Sequence, residues 1–392
     1  MLTGKAIICL SAVDWSGAIW ARPQQLMSRF AQTNPVLYVD PPITYLSPLK
    51  NPALWRRISA VRREPRPAGD NVLVWTPPVF LPFGSRCRAI NRINQRLLAG
   101  QLRPVLARLG FNRPVLWTYL PQTADLLDRL PADLLCYDCV DEHAAFPGFS
   151  PSIVQAMEDE LLRKADVVFA SAGTLYEAKK AMAPSIRLLP NAADVEHFRP
   201  ERTADLPCPP ELAGMEGPVL GFVGGVHEWV DLDLIRSVAQ MRPDWNFVFI
   251  GPVSTATDRL QALPNVRFLG SRPYREVPAY VKHFTVGLIP FKINELTHKV
   301  NPVKLYEYLA AGKPVVATPL PELKSFADIT YLAANPEGFR ATVEQALRED
   351  GPELRQRRFR AAEANSWDSR CREMVGYLAA ALESRTVREK PL

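Results

Sequence analysis

Three hundred and ninety-two residues exceed what one compact core holds, so two domains of ordinary size are expected and a small module is excluded. The chain is 47% hydrophobic and 22% charged, which excludes a disordered polymer, and no run approaches the roughly 20 apolar residues of a membrane-spanning helix. The net charge of +6 is unevenly held: residues 1–120 carry 16 Lys or Arg against four acids, and the remainder carries 31 basic and 37 acidic residues.

Short β-branched and aromatic runs alternate with helical stretches from the start of the chain, the pattern of a parallel α/β sheet. Strands are predicted at Ala6–Leu10, Val36–Val39, Val72–Trp75, Val115–Tyr119, Leu134–Tyr137, Val167–Ala170 and Ile186–Leu189. The apolar run from Ala6 to Val13 leads straight into Asp14 without a signal-peptide cleavage pattern, so a cytoplasmic location is expected. Between the second and third strands, Leu46 to Arg66 sets Trp55, Ile58 and Val61 at helical spacing among Lys50, Arg56, Arg57, Arg62, Arg63 and Arg66. That is the composition of a helix lying on an anionic membrane, and equally of a solvated surface helix. A second basic helix, Arg86 to Arg108, adds positive charge to the same region and favours the peripheral membrane reading on the inner face.

The proline-rich stretch Phe198 to Pro218 continues neither a helix nor a central strand and marks a domain boundary. The expected division is 1–197 for an N-terminal acceptor-binding, membrane-facing domain, 198–217 for a linker, 218–368 for a C-terminal domain, and 369–392 for a helix returning to the first domain. Beyond the boundary, strands are predicted at Val219–Val223, Phe247–Ile250, Val266–Leu269, Val286–Pro290 and Pro314–Thr318, with helices at Asp231–Met241, Val277–Phe284 and Pro302–Ala311. The fold class is therefore α/β, two Rossmann-like doubly wound domains whose strand ends are expected to face each other across a cleft. Six scattered cysteines read as reduced thiols, and the lone Cys136–Cys139 pair does not make a zinc site.

The richest segment is Asn301 to Val316, NPVKLYEYLAAGKPVV. Asn301 suits an N-cap, Pro302 the first helical position and Gly312 a left-handed helix end. Lys304 and Glu307, three apart, project from one side: a lysine beside a helix N-terminus suits a diphosphate, and a glutamate one turn on suits a ribose diol. An exposed salt bridge is the plain alternative for the pair taken alone. Gly224 and Gly225 end the first strand of the second domain and Gly251 the next, letting phosphate approach the backbone. In the first domain, Asp138, Asp141, Glu142 and His143 follow the Leu134–Tyr137 strand, where one carboxylate can take a proton from an acceptor hydroxyl. Asp141 is the first choice. Asp14 with Trp15 as a stacking face, together with Asp138, Glu142 and His143, are the candidate acceptor contacts.

The second half, VRFLGSRPYREVPAYVKHFTVGLIPF followed by NPVKLYEYLAAGKPVV, resembles the donor domain of nucleotide-sugar glycosyltransferases of the two-Rossmann (GT-B) type, and LLPNAADVEHFRP resembles their crossover segment. The likeness spans the chain and is strongest from Asp166 to Glu322. It implies that Glu307 holds the nucleotide ribose and Lys304 the diphosphate, with Gly224, Gly225, Gly251, Arg272 and Asn301 also on the donor side. The large retaining family has two glutamates separated by seven residues, and the place of the first, position 299, is held here by Lys299, while the Arg and Lys that usually follow the first glycine loop are missing after Gly225. Ser11-Ala-Val-Asp14 and the Tyr137–Asp141 segment are similar to bacterial exopolysaccharide glucuronosyltransferases, a resemblance that implies an inverting reaction with Asp141 as base. The expected activity is transfer of a sugar, from a UDP-sugar by preference, to a glycan or lipid-linked acceptor in cell-surface polysaccharide synthesis, without a metal or other cofactor and without nucleic acid. A sugar-nucleotide epimerase of the same fold, or a non-catalytic sugar-nucleotide binder, stays open as an alternative.

Overall fold

The computed structural model describes all residues except 1, 18, 51–53, 56–57, 59–63 and 389–392, and omits the side chains of 50 and 386–388. The basic interfacial segment anticipated around Arg56, Arg57, Arg62 and Arg63 lies outside the described residues. The chain forms two compact units, one of residues 1–17, 21–190 and 371 onward, the other of 18–20 and 191–370.

The first unit is built on an eight-stranded sheet: β1 (Ile7–Leu10), β2 (Val36–Val39), β3 (Arg66–Gly69), β4 (Val72–Trp75), β5 (Val115–Thr118), β6 (Leu134–Cys139), β7 (Val167–Ala170) and β8 (Ile186–Leu188). The order is β3-β4-β2-β1-β5-β6-β7-β8, parallel throughout except for β3 against β4. β1, β2, β5, β6 and β7 are buried at every position, which explains why they read in sequence as continuous apolar runs rather than alternating ones. The strand order reverses at β1, which pairs with β2 on one side and β5 on the other. Such a switch point leaves an open crevice beyond the strand ends. The helix Trp367–Arg388 closes the chain, and its Met374, Leu378 and Leu382 are buried.

The second unit has six parallel strands, β9 (Val219–Val223), β10 (Asn246–Ile250), β11 (Val266–Gly270), β12 (Val286–Ile289), β13 (Val315–Ala317) and β14 (Tyr331–Leu332), ordered β11-β10-β9-β12-β13-β14. Its switch point lies between β9 and β12. The boundary falls at Asn191, seven residues before the expected linker begins. The correction has a physical cause: Phe198 and Leu212 are buried in the core of the second unit, so the proline-rich stretch is part of that unit.

Candidate functional site

In the second unit, the helix Val303–Ala310 is fixed under the strand ends by its own tyrosine. The Tyr308 hydroxyl accepts from Val223 N at 2.9 Å and donates to Gly221 O at 3.3 Å, and the ring lies where a side chain on Gly287 would have to be. Gly312, at φ +68°, ends the helix as anticipated, with Gly312 N and Lys313 N donating back to Leu309 O and Tyr308 O. The N-cap differs: Pro302 occupies it, and Asn301 stands one place earlier.

This seating brings Lys304 across the glycine turn after β9. A Cβ on Gly224 (φ +143°) would fall 2.0 Å from Lys304 Cε, and one on Gly251 (φ +143°) would fall 2.1 Å from Gly224 O. Both positions require glycine on two counts, conformation and space. Glu307 is 6% exposed, and among the described residues neither its side chain nor that of Lys304 makes a hydrogen bond or an ion pair within 4 Å. Burial pushes the Glu307 carboxyl up to about 7, against the pull of Lys304 and with some help from Asp194. Burial also lowers the Lys304 ammonium, opposed by Glu307. The exposed salt bridge considered from sequence is therefore replaced by a buried carboxyl and a half-buried ammonium that lies over the Phe222 ring, neither in an ion pair, at a switch point, an arrangement that a ligand can complete.

Two neighbours were not singled out in sequence. His227 sits where a side chain on Gly225 would go, hydrogen-bonds Ser254 Oγ through Nδ1, and has its imidazole lowered by burial and by Lys304. Asp194 belongs to the crossover motif. Its only sequence signal was that resemblance.

Two further donor-side candidates have partners within the second unit. Asn301 accepts from Asn191 N at 3.1 Å and receives the Asn191 amide on its carbonyl at 2.7 Å, while its own amide donates to Tyr306 Oη and Glu322. It thus ties the start of the second unit to the helix, which is a structural task. Arg272 donates to Glu211 at 2.6 Å and to the hydroxyl of Tyr280 at 2.9 Å, so its guanidinium is committed within a surface network.

In the first unit, the acids at the end of β6 and just after it separate. Asp138 is fully buried and gripped by Arg22 Nε at 3.0 and 2.9 Å, while Arg22 Nη1 donates to Leu189 O at 2.8 Å. Glu142, 5% exposed, lies 3.4 Å from Lys179, which also holds the buried Glu158 at 2.8 Å. Both carboxylates are engaged inside the fold, which corrects their assignment to the acceptor. Trp15 is corrected likewise: it is 8% exposed, with its ring set edge-on to Tyr38 at 5.0 Å inside the first unit. Asp141 remains half-buried at the strand end, its carboxyl raised by burial and drawn back by His143. His143 is 5% exposed and its Nε2 has no hydrogen-bond partner among the described residues. Asp14 follows β1, its backbone carbonyl accepting from Gln24 at 2.9 Å.

With this geometry in place, the family follows from comparison. The family described as "Glycosyl transferases group 1" matches residues 217–349, the stretch that holds the glycine turns, Lys304 and Glu307. Over 316 residues, 75% of this chain and 79% of the relative, the sequence is 31% identical to the provisionally named teichuronic acid biosynthesis glycosyltransferase TuaH of Bacillus subtilis. The chain belongs to the group 1 glycosyltransferases. Among solved structures, this glycosyltransferase is similar to sucrose-phosphate synthase from Thermosynechococcus elongatus, with a TM-score of 0.71, 14% identity and coverage of 97% and 99% of the two chains. It is similar also to Anabaena HepE in complex with UDP and glucose, with a TM-score of 0.63, 15% identity and coverage of 96% and 99%. At such identities the likeness shows the fold, GT-B, and a nucleotide-sugar glycosyltransferase related to bacterial polysaccharide enzymes is the coarse function. Among the described residues no group of three or more His, Cys, Asp or Glu is set to hold a metal.

Proposed function

We propose that this glycosyltransferase takes a sugar from a UDP-sugar held by Gly224, Gly225, Gly251, Lys304 and Glu307, and passes it to a glycan or lipid-linked acceptor with inversion. The carrying observation is the Lys304 ammonium and the buried Glu307 carboxyl, side by side at the glycine turns with no ion pair. A diphosphate beside Gly224 neutralises Lys304, and a ribose diol donates to Glu307, so donor binding supplies the two partners that the protein leaves out. HepE in complex with UDP supports the choice of nucleotide. Asp141 is the proposed base: a carboxyl raised by burial holds a proton more readily than a solvated one, as removal of the acceptor proton requires. His143 and Asp14 accompany it on the acceptor side. The same reading makes the reaction independent of a divalent ion and places the enzyme peripherally on the inner membrane face, through its basic first domain.

The deciding experiment is calorimetry with UDP and GDP on the intact protein and on Lys304→Ala. Loss of one charge-assisted partner is expected to weaken UDP binding by roughly 1.5 to 3 kcal/mol. Unchanged UDP affinity in the variant would remove the donor-site assignment. Acceptor-dependent UDP release then separates a transferase from an epimerase or a binder.

A further inference from the structure

The first unit contains a cavity of about 520 Å³ that the donor chemistry does not use. Its size is that of a small-molecule site. It is lined by the segments that follow β2, β4 and β5 and by the helix Arg88–Leu109, so it opens at the same end of the sheet as Asp14 and Asp141.

The walls are held rigidly. Phe80 N donates to Ile43 O at 2.8 Å, Leu81 N to Asn94 Oδ1 at 2.8 Å, and Asn94 returns its amide to Leu81 O at 3.0 Å. The cavity is therefore preformed.

Its chemistry changes with depth. Inside, Phe80 is 7% exposed and Gln95 2% exposed, and the Oε1 atoms of Gln95 and Gln122 are buried with no hydrogen-bond partner among the described residues. A buried amide oxygen without a donor is costly, and hydroxyl groups of a ligand relieve it. An aromatic wall beside hydroxyl acceptors suits a sugar, whose C–H face packs on the ring and whose O–H groups reach the amides. Further out, Arg86 is exposed, donates through Nε to Gly148 O and has no carboxylate partner among the described residues. Its neighbour Arg88, by contrast, is paired with Asp125 and Glu160. At the rim, Leu46, Leu81 and Phe83 are 40%, 40% and 54% exposed. Phe83 holds this position at φ +68°, a left-handed conformation that a bulky side chain rarely adopts, locked by Arg86 N and Cys87 N donating to its carbonyl.

We infer that this cavity receives the glycosyl-phosphate head of a lipid-linked acceptor, with the sugar inward on Phe80, Gln95 and Gln122, the phosphate on Arg86, and the first carbons of the lipid on Leu81 and Phe83. The three layers of the cavity, hydroxyl-seeking, cationic and apolar, follow the order in which such a molecule is built. The inference rests on the glycosyltransferase reading and sharpens its acceptor.

Calorimetry on the full chain tests it with probes kept below their aggregation concentration: farnesyl phosphate, farnesol, inorganic phosphate, and farnesyl phosphates carrying glucose, galactose or mannose. Farnesyl phosphate is expected to bind at least tenfold more tightly than farnesol or inorganic phosphate. Arg86→Gln is expected to erase its advantage over farnesol, and Phe83→Gly to weaken every prenyl probe by about tenfold, the effect of uncovering a few carbons. At least one hexose should add a further tenfold that Gln95→Leu removes. Equal binding of farnesol and farnesyl phosphate, no gain from any hexose, or affinity seen only with vesicles would each overturn the inference. UDP titrated in parallel keeps the two readings apart: absence of UDP binding counts against the donor site alone, whereas failure of the prenyl probes with UDP bound counts against this cavity alone.

Discussion

Replacing Glu307 by glutamine separates what this residue does for the fold from what it does for the donor. Its carboxyl is raised from the ordinary 4.5 to about 7 by burial. At about 1.4 kcal/mol per pH unit, that displacement sets roughly 3 kcal/mol against ionisation in the folded state. Between pH 4.5 and 7 the native protein holds a proton that the unfolded chain has released, so this group's contribution is intact below 4.5 and is lost as pH rises through 7. Glutamine escapes the penalty, in which the pull of Lys304 is already contained, but its buried amide has two donors to satisfy where the acid had one, which takes back part of the gain. The net expectation at pH 8 is a variant about 1 to 2 kcal/mol more stable, seen by scanning calorimetry as a rise of a few degrees in the unfolding of the second unit. At pH 5, where the wild-type carboxyl is largely protonated, the ionisation penalty is absent from the parent as well, only the cost of the extra amide donor remains, and the difference reverses sign. UDP affinity at pH 8 moves the other way, falling about tenfold as the ionised acceptor for the ribose is lost. A variant destabilised equally at both pH values, or one binding UDP as tightly as the parent, would refute the reasoning.

Asp141→Asn is expected to keep donor affinity and lower turnover by roughly 10² to 10⁴, measured as UDP release with acceptor present, while NMR of the product shows an inverted anomeric centre. Gly251→Ala places a methyl carbon against Gly224 O at a left-handed φ, and is expected to weaken UDP binding and lower Tm by several degrees in calorimetry. Asp138→Asn leaves the buried Arg22 guanidinium without its counter-charge, and is expected to cost about 3 to 5 kcal/mol in urea unfolding followed by circular dichroism.

The central strands were legible because burial on both faces writes itself as uninterrupted Val, Ile, Leu and aromatic residues. β3 was not. It is an edge strand, Arg66–Gly69, half-exposed and carrying Pro67, and its residues read as the end of a charge run. The Lys304–Glu307 helix could be delimited from its proline and its Gly312, yet not its burial, which depends on Tyr308 meeting β9 more than eighty residues earlier. The acids at the end of β6 and just after it illustrate the same limit. Asp138, Asp141 and Glu142 look alike in sequence, and what divides them is Arg22 and Lys179, brought in from distant positions to claim two of the three. His143 carried no signal beyond its place in that run.

The cysteines offer a practical consequence. Cys9, Cys136 and Cys139 are buried and their thiols are raised well above the ordinary range, and Cys371 is buried too, so all four resist alkylation. Cys208 is exposed and Cys87 partly so, and the two fall in different units. Maleimide dyes will therefore react at Cys208 first and at Cys87 next, giving the unmutated protein one fluorescent reporter on each unit. Energy transfer between them can follow, in real time, whether the units change separation when a nucleotide sugar is added.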